Sequence, residues 1–143
     1  MMCGKRYLQY IAGLLILSAG ISCGGNDNAR PENNNATTPI TKDVVAQIYD
    51  LYVSKNYESY IKEMLSCDGK PEEYRKSMEN LMHQHATEHA QTSGEITGFN
   101  VDSIQTVNSG KAAEAYLSVR YSTGNTETIQ LQLVHDGHHW RLR

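Results

Sequence analysis

Apolar and polar positions divide the chain into four stretches. Ile11 to Ile21 is an apolar run interrupted only by Ser18, and residues 24–40 hold almost nothing that can be buried. From 41 to 93 the apolar residues recur at helical spacing, and from about 96 they alternate with polar neighbours, the pattern of strands with one buried face.

Three helices follow from the first pattern. In 41–54, Val44, Val45, Ile48, Tyr49, Leu51 and Tyr52 form a wide apolar face opposite Asp43, Gln47, Asp50 and Ser54, and Thr41 suits the N-cap. Asn56 caps a short second helix whose Tyr57, Tyr60, Ile61, Met64 and Leu65 share a face, ended by Asp68-Gly69. Pro71 suits a first helical position, with Glu72 and Glu73 favourably placed against the helix dipole. Along this third helix Tyr74, Met78, Leu81, Met82 and His85 align, and Ser93-Gly94 stops it.

The strands follow from alternation and turn chemistry. Ala113, Ala115, Leu117, Val119 and Tyr121 point one way, as do Ile129, Leu131 and Leu133, and Trp140 and Leu142 finish the chain. Asp136-Gly137 predicts a two-residue hairpin loop that sets Leu133 opposite Trp140, Leu131 opposite Leu142 and His135 opposite His138. Near Gly124-Asn125 only an odd-length loop keeps apolar residues on one face, and a three-residue loop there opposes Val119 to Leu131 and Leu117 to Leu133. Between 96 and 107, Phe99, Val101 and Val107 share one parity while Ile96 and Ile104 share the other, which predicts a bulge.

The N-terminal run is too short to span a bilayer, which takes about 20 apolar residues. With Lys5 and Arg6 before it and small residues after it, it reads as a secretory signal covering residues 1–22. The junction Gly20-Ile21-Ser22-Cys23 resembles a lipobox, the site where lipoprotein signal peptidase cuts before a cysteine that is then lipidated. That resemblance implies an acylated Cys23 (a palmitate-type anchor) as the first mature residue and the lipid bilayer as a partner. Gly24 follows Cys23, so the usual Gram-negative sorting logic implies the outer membrane. A Gly stands at position 20 where a Leu is usual, and Ser18-Ala19-Gly20 leaves an ordinary secretory cut open.

The polar stretch from Cys23 to residue 40 reads as a disordered tether. A flexible chain of that length spans roughly 20–25 Å, enough to lift a domain clear of headgroups. Residues 41–143 then form one domain. Loss of residues 1–22 leaves 11 basic against 16 acidic residues, a net charge of −5, so neither nucleic acid nor an anionic surface is an expected partner. Cys67 alone remains after cleavage and acylation, which excludes an intrachain disulfide; it reads as a small apolar residue near a helix end.

Three helices, then a meander of long antiparallel strands ending in Leu-Val-His-Asp-Gly-His-His-Trp-Arg-Leu, resemble the nuclear transport factor 2-like fold, in particular Gram-negative lipoprotein domains of unknown function. The resemblance is carried by Leu131, Leu133, Val134, Asp136, Gly137, Trp140 and Arg141 in the last hairpin, and by Val44-Val45, Tyr49 and Asn56-Tyr57 near the start. It implies an α+β cone: N-terminal helices packed on a curved antiparallel sheet, with a pocket between sheet and first helix. It implies no single activity, because enzymes, ligand binders and dimerisation modules share this scaffold.

Candidate chemistry is sparse. No carboxylate falls among the core-facing residues of the last three strands; Glu114 and Glu127 fall on the opposite face or at a turn edge, and Asp102 points inward only if the first strand takes the register of Ile104. Tyr49, Tyr52 and Tyr121 are candidates for a pocket mouth, or are ordinary half-buried core residues with solvated hydroxyls. His85 and His89, at i and i+4, and the hairpin residues His135 and His138 are weak candidates for a transition-metal site, although neither pair has further ligands placed by sequence. The reading is a non-enzymatic, membrane-anchored binding or interaction module with no cofactor, taking a small apolar ligand or a protein partner. An enzyme or carrier using the tyrosine-lined pocket and a metal binder are the alternatives. The open sheet face (Glu114, Tyr116, Ser118, Arg120, Gln130, Gln132, Arg141) is polar, so a monomer or weak homodimer is expected.

Overall fold

The computed structural model describes residues 37–143. The expected signal at 1–22, Cys23 and the polar stretch through residue 36 lie outside the described residues. The polar stretch is not free up to residue 40, however. Trp140 Nε1 donates to the Thr38 carbonyl at 2.7 Å, and Ile40 packs against the core.

The first and third helices form where the pattern places them. The second, expected to run on through Met64 and Leu65 to Asp68-Gly69, stops at Lys62, and Met64 is extended. Helix α1 spans Lys42–Val53, and Thr41 caps it by accepting from the Val44 amide at 3.3 Å. Helix α2 spans Tyr57–Lys62, with Asn56 Oδ1 accepting from the Ser59 amide at 3.3 Å. A 3₁₀ turn at Leu65–Cys67 buries the Cys67 thiol. Helix α3 spans Glu72–Ser93, with Pro71 one position earlier, as its N-cap. Gly94 ends it at φ +88°, where an added Cβ would lie 2.4 Å from Ser122 Oγ, so only glycine fits. None of the 22 residues of α3 is buried, and among the described residues no helix is long and apolar enough to cross a membrane.

Four strands, β1 (Ile96–Val107), β2 (Ala112–Tyr121), β3 (Thr126–His135) and β4 (Trp140–Leu142), pair as an antiparallel meander in sequence order. Together with the helices they make the expected α+β fold. Ala113, Ala115, Leu117, Val119 and Tyr121 are all buried on the inner face, and Val45, Ile48 and Tyr49 of α1 join them in one core with Leu133, Trp140 and Leu142. Tyr49 meets Phe99 of β1 edge to face at 4.9 Å.

Both hairpin registers differ from the expectation by an even number of residues, four between β2 and β3 and two between β3 and β4, which preserves the faces and changes the partners. The β2–β3 loop is odd-length, but it is Ser122-Thr123-Gly124: the Tyr121 amide donates to the Asn125 carbonyl at 2.9 Å, and Gly124 takes φ +87°. Val119 therefore faces Glu127 and Leu117 faces Ile129, in place of Leu131 and Leu133. The β3–β4 loop has four residues. Asp136 Oδ1 accepts from the amides of His138 at 2.8 Å and His139 at 3.0 Å, and this side-chain turn absorbs both histidines. Leu133 then opposes Leu142, and His135 opposes Trp140, not His138. The bulge expected in β1 occurs twice, between Ile96 and Gly98 and between Val101 and Ser103.

Arg141 departs from its expected place on the open face. The segment after α2 runs beside β4, with the Leu142 amide donating to the Glu63 carbonyl at 2.8 Å and Met64 bridging Leu142 in the parallel sense. Covered by this segment, Arg141 is only 8% exposed.

Candidate functional site

Helix α3 does not close against the sheet, and the space left is a cavity of about 470 Å³. Its floor is β3 and the end of β2, where Ile129, Leu131 and Tyr121 point inward. Its walls are Tyr49 and Tyr52 of α1, Tyr60 of α2 and Met64 after it, and Leu81, Met82, His85 and His89 of α3. The exposed side chains of α3 follow from this arrangement. Its apolar stripe faces a void, so Leu81 stays 54% exposed.

One end of the cavity is polar. Tyr121 donates from its hydroxyl to Glu127 Oε2 at 2.9 Å, and His89 Nε2 lies 3.6 Å from the same oxygen. The His89 ring sits over Tyr121 with centroids 5.2 Å apart, and His85 stacks on His89 at 6.1 Å. His85 Nδ1 in turn lies 3.4 Å from the Tyr52 hydroxyl. Thus the pair at i and i+4 reaches across the cavity, one imidazole to the sheet and one to α1.

The tyrosines stay protonated over a wide pH range. Burial, the hydrogen bond to Glu127 and that carboxylate's charge push the Tyr121 phenol up to about 12. Burial, with a smaller contribution from Tyr52, pushes Tyr60 up to about 12, and burial also raises Tyr49 and Tyr52. These hydroxyls are neutral hydrogen-bonding groups, not nucleophiles.

The structure brings Tyr49, Tyr52, Tyr121, His85 and His89 together around one cavity, and it leaves Asp102 out. Asp102 falls at the second bulge of β1, where its carboxylate accepts from Ser118 Oγ and its carbonyl from Lys42 Nζ at 2.7 Å. Ser118 lies between the buried Leu117 and Val119, so this bond fixes the Asp102 carboxylate on the outer face. The carboxylate that does line the cavity is Glu127, expected at a turn edge. With the loop ending two residues earlier, Glu127 lies within β3 and shares the inward parity of Ile129 and Leu131. That parity was the available signal.

The structure separates the hairpin histidines that the sequence set opposite one another. His135 Nδ1 accepts from the Gly137 amide at 3.2 Å and its ring meets Trp140 edge-on, while His139 Nδ1 approaches Asp136 Oδ2 at 3.6 Å. Among the described residues no group of three or more His, Cys, Asp or Glu side chains is arranged to hold a metal ion.

No family model and no curated protein sequence matches the chain. It is similar to a crystal structure from Campylobacter jejuni provisionally named an NTF2-like transpeptidase. The TM-score is 0.54 at 12% identity, over 70% of this chain and 94% of that one. At that identity the similarity shows the fold, which is NTF2-like.

Proposed function

We propose that this protein is a lipid-anchored module of the cell envelope whose cone cavity binds a small, largely apolar molecule without transforming it. The observation that carries the binding reading is the cavity itself, apolar along its walls and polar at one end, the pattern of a ligand site. Among the described residues, no serine, cysteine or lysine lines it. Cys67 is buried elsewhere, and the tyrosines are held protonated, so the cavity offers no nucleophile for acyl transfer of the kind the neighbour's name implies. Cys23, preceded by the signal-like run and followed by the polar stretch, supports the anchor. The polar outer sheet face suits a monomer or weak dimer.

The binding reading is tested with the mature chain from residue 23 carrying Cys23→Ser, titrated calorimetrically with 2-(1-naphthyl)ethanol. Saturable binding that disappears in Ile129→Trp, whose indole fills the cavity floor, is expected. Absence of saturable binding, or binding that Ile129→Trp leaves unchanged, overturns the reading.

A second reading, an enzyme, is favoured by one contact, the approach of His89 to Glu127 within the cavity. An imidazole beside a carboxylate is a general-base arrangement. On this reading a substrate placed in the cavity is consumed by the wild type and not by His89→Ala, whereas the binding module releases every bound molecule unchanged.

A further inference from the structure

We infer that the ligand of this cavity is an amphiphilic amine, an apolar body carrying one ammonium group that is held by Glu127 among the tyrosines. This rests on the binding reading above and adds the sign of charge. Three observations carry it.

Among the described residues, Glu127 is the single carboxylate in the cavity lining, and no lysine or arginine side chain joins it there. Its charge therefore lacks a full counter-charge from the walls. The carboxylate is also half used. Glu127 sits at the cavity mouth with its side chain 46% exposed. Tyr121 and His89 both approach Oε2, while Oε1 has no hydrogen-bond partner among the described residues and faces solvent or a ligand. An ammonium proton donated to Oε1 completes the group without displacing either neighbour.

The surroundings favour a cation over a second neutral donor. Tyr49, Tyr52 and Tyr121 line the same cavity as Glu127, and the negative faces of aromatic rings attract ammonium groups. Their hydroxyl oxygens remain neutral acceptors. An anionic ligand meets the opposite situation, with Glu127 facing it and no fixed positive side chain to offset the repulsion. Beyond this end the walls are Met64, Leu81, Ile129 and Leu131, which take an apolar body and offer it nothing polar.

The test compares three probes with one aromatic body on the Cys23→Ser mature chain at pH 8: 2-(1-naphthyl)ethylamine, 2-(1-naphthyl)ethanol and 1-naphthaleneacetate. The amine is expected to bind about tenfold or more tightly than the alcohol, the scale of one well-placed charge–carboxylate or cation–π contact, and the acetate more weakly than either. In Glu127→Gln the amine falls to the affinity of the alcohol, while the alcohol binds as before. Equal affinities for amine and alcohol in the wild type, or an amine preference that survives Glu127→Gln, overturn the inference and leave the cavity reading standing. If none of the three binds, both readings fall. Should Glu127→Gln not fold, as judged by circular dichroism, the wild-type ranking decides alone.

Discussion

Arg141 holds Asp68 through two parallel hydrogen bonds, Nη1 to Oδ2 at 2.6 Å and Nη2 to Oδ1 at 2.7 Å. Nη2 also donates to the Lys62 carbonyl at 2.7 Å. The bidentate pair joins the last strand to the segment after α2, residues 73 positions apart. It closes the sheet edge that β4, only three residues long, would otherwise leave open.

Arg141→Ala removes all of these bonds from a buried position and leaves the Lys62 carbonyl without its partner. Its melting temperature is expected to fall by roughly 10 °C, on the scale of a few kcal/mol for a domain of this size. Asp68→Asn keeps one oxygen acceptor and lowers it less. Thermal unfolding followed by circular dichroism at neutral pH checks the order; equal effects would sink the idea that Arg141 has a second, independent partner.

The two amide donors of the hairpin loop hold the Asp136 carboxyl at about 2, below the usual 3.8. A carboxylate depressed in the folded state stabilises it above the unfolded pKa, and that contribution is lost as pH falls. Stability is therefore expected to decline between about pH 4 and pH 2, partly through this group. In Asp136→Asn, where the side chain still accepts but does not titrate, that decline is shallower in urea melts taken across the range.

At the alkaline end the sign reverses. Tyr121 titrates near 12 when folded and at 10.0 when not, so the unfolded chain loses its proton first and stability falls as pH rises from 10 towards 12. Phenolate absorbance near 295 nm is expected to show a late-titrating component in the wild type. Glu127→Gln moves only the Tyr121 share of that component to lower pH, because it removes the neighbouring negative charge, while Tyr60 and Tyr49 stay late through burial. A component wholly unmoved would show that burial alone sets Tyr121.

Leu117 is fully buried on the inner face, whereas Leu81 borders the cavity and is half exposed. Leu117→Ala is expected to cost about 2–5 kcal/mol. Leu81→Ala stays within about 0.5 kcal/mol, as for a surface position. Urea denaturation of both measures the difference. A comparable loss at Leu81 would mean that α3 packs down on the sheet in solution.

The proposed anchor has its own test. In Gram-negative cells expressing the full chain, Cys23→Ser is expected to abolish incorporation of labelled palmitate and to move the protein from the membrane to the soluble fraction. Unchanged fractionation of Cys23→Ser would remove the anchor while leaving the fold and cavity as described.

Much of the architecture is legible from local chemistry. Helical spacing, the caps Thr41 and Asn56 and the stop at Gly94 place the helices, because each is decided by neighbours within a turn. Alternation in β2 and β3 sorts inward from outward residues, and the odd loop length follows from keeping those faces aligned. What alternation does not specify is a shift by an even number of residues, which keeps every side chain on its face while changing its partner. Both hairpins shifted in this way. Trp140 opposes His135 because the Asp136 side chain builds a longer turn than Asp-Gly alone suggests.

The sequence by itself determined the order of elements, the two faces of the sheet and the tyrosine content of the first helix, since these depend on periodicity and short-range bonding. Only the tertiary structure decided which carboxylate reaches the cavity. Asp102 and Glu127 are both single acidic residues near a strand irregularity; a bulge sends the first to Ser118 on the outer face, and the position of a three-residue loop sets the second beside His89. Likewise, nothing local says that α3 stands off the sheet. It is decided by tertiary packing, in which α3 rests on α2 and not on the sheet, and the void it leaves is the site.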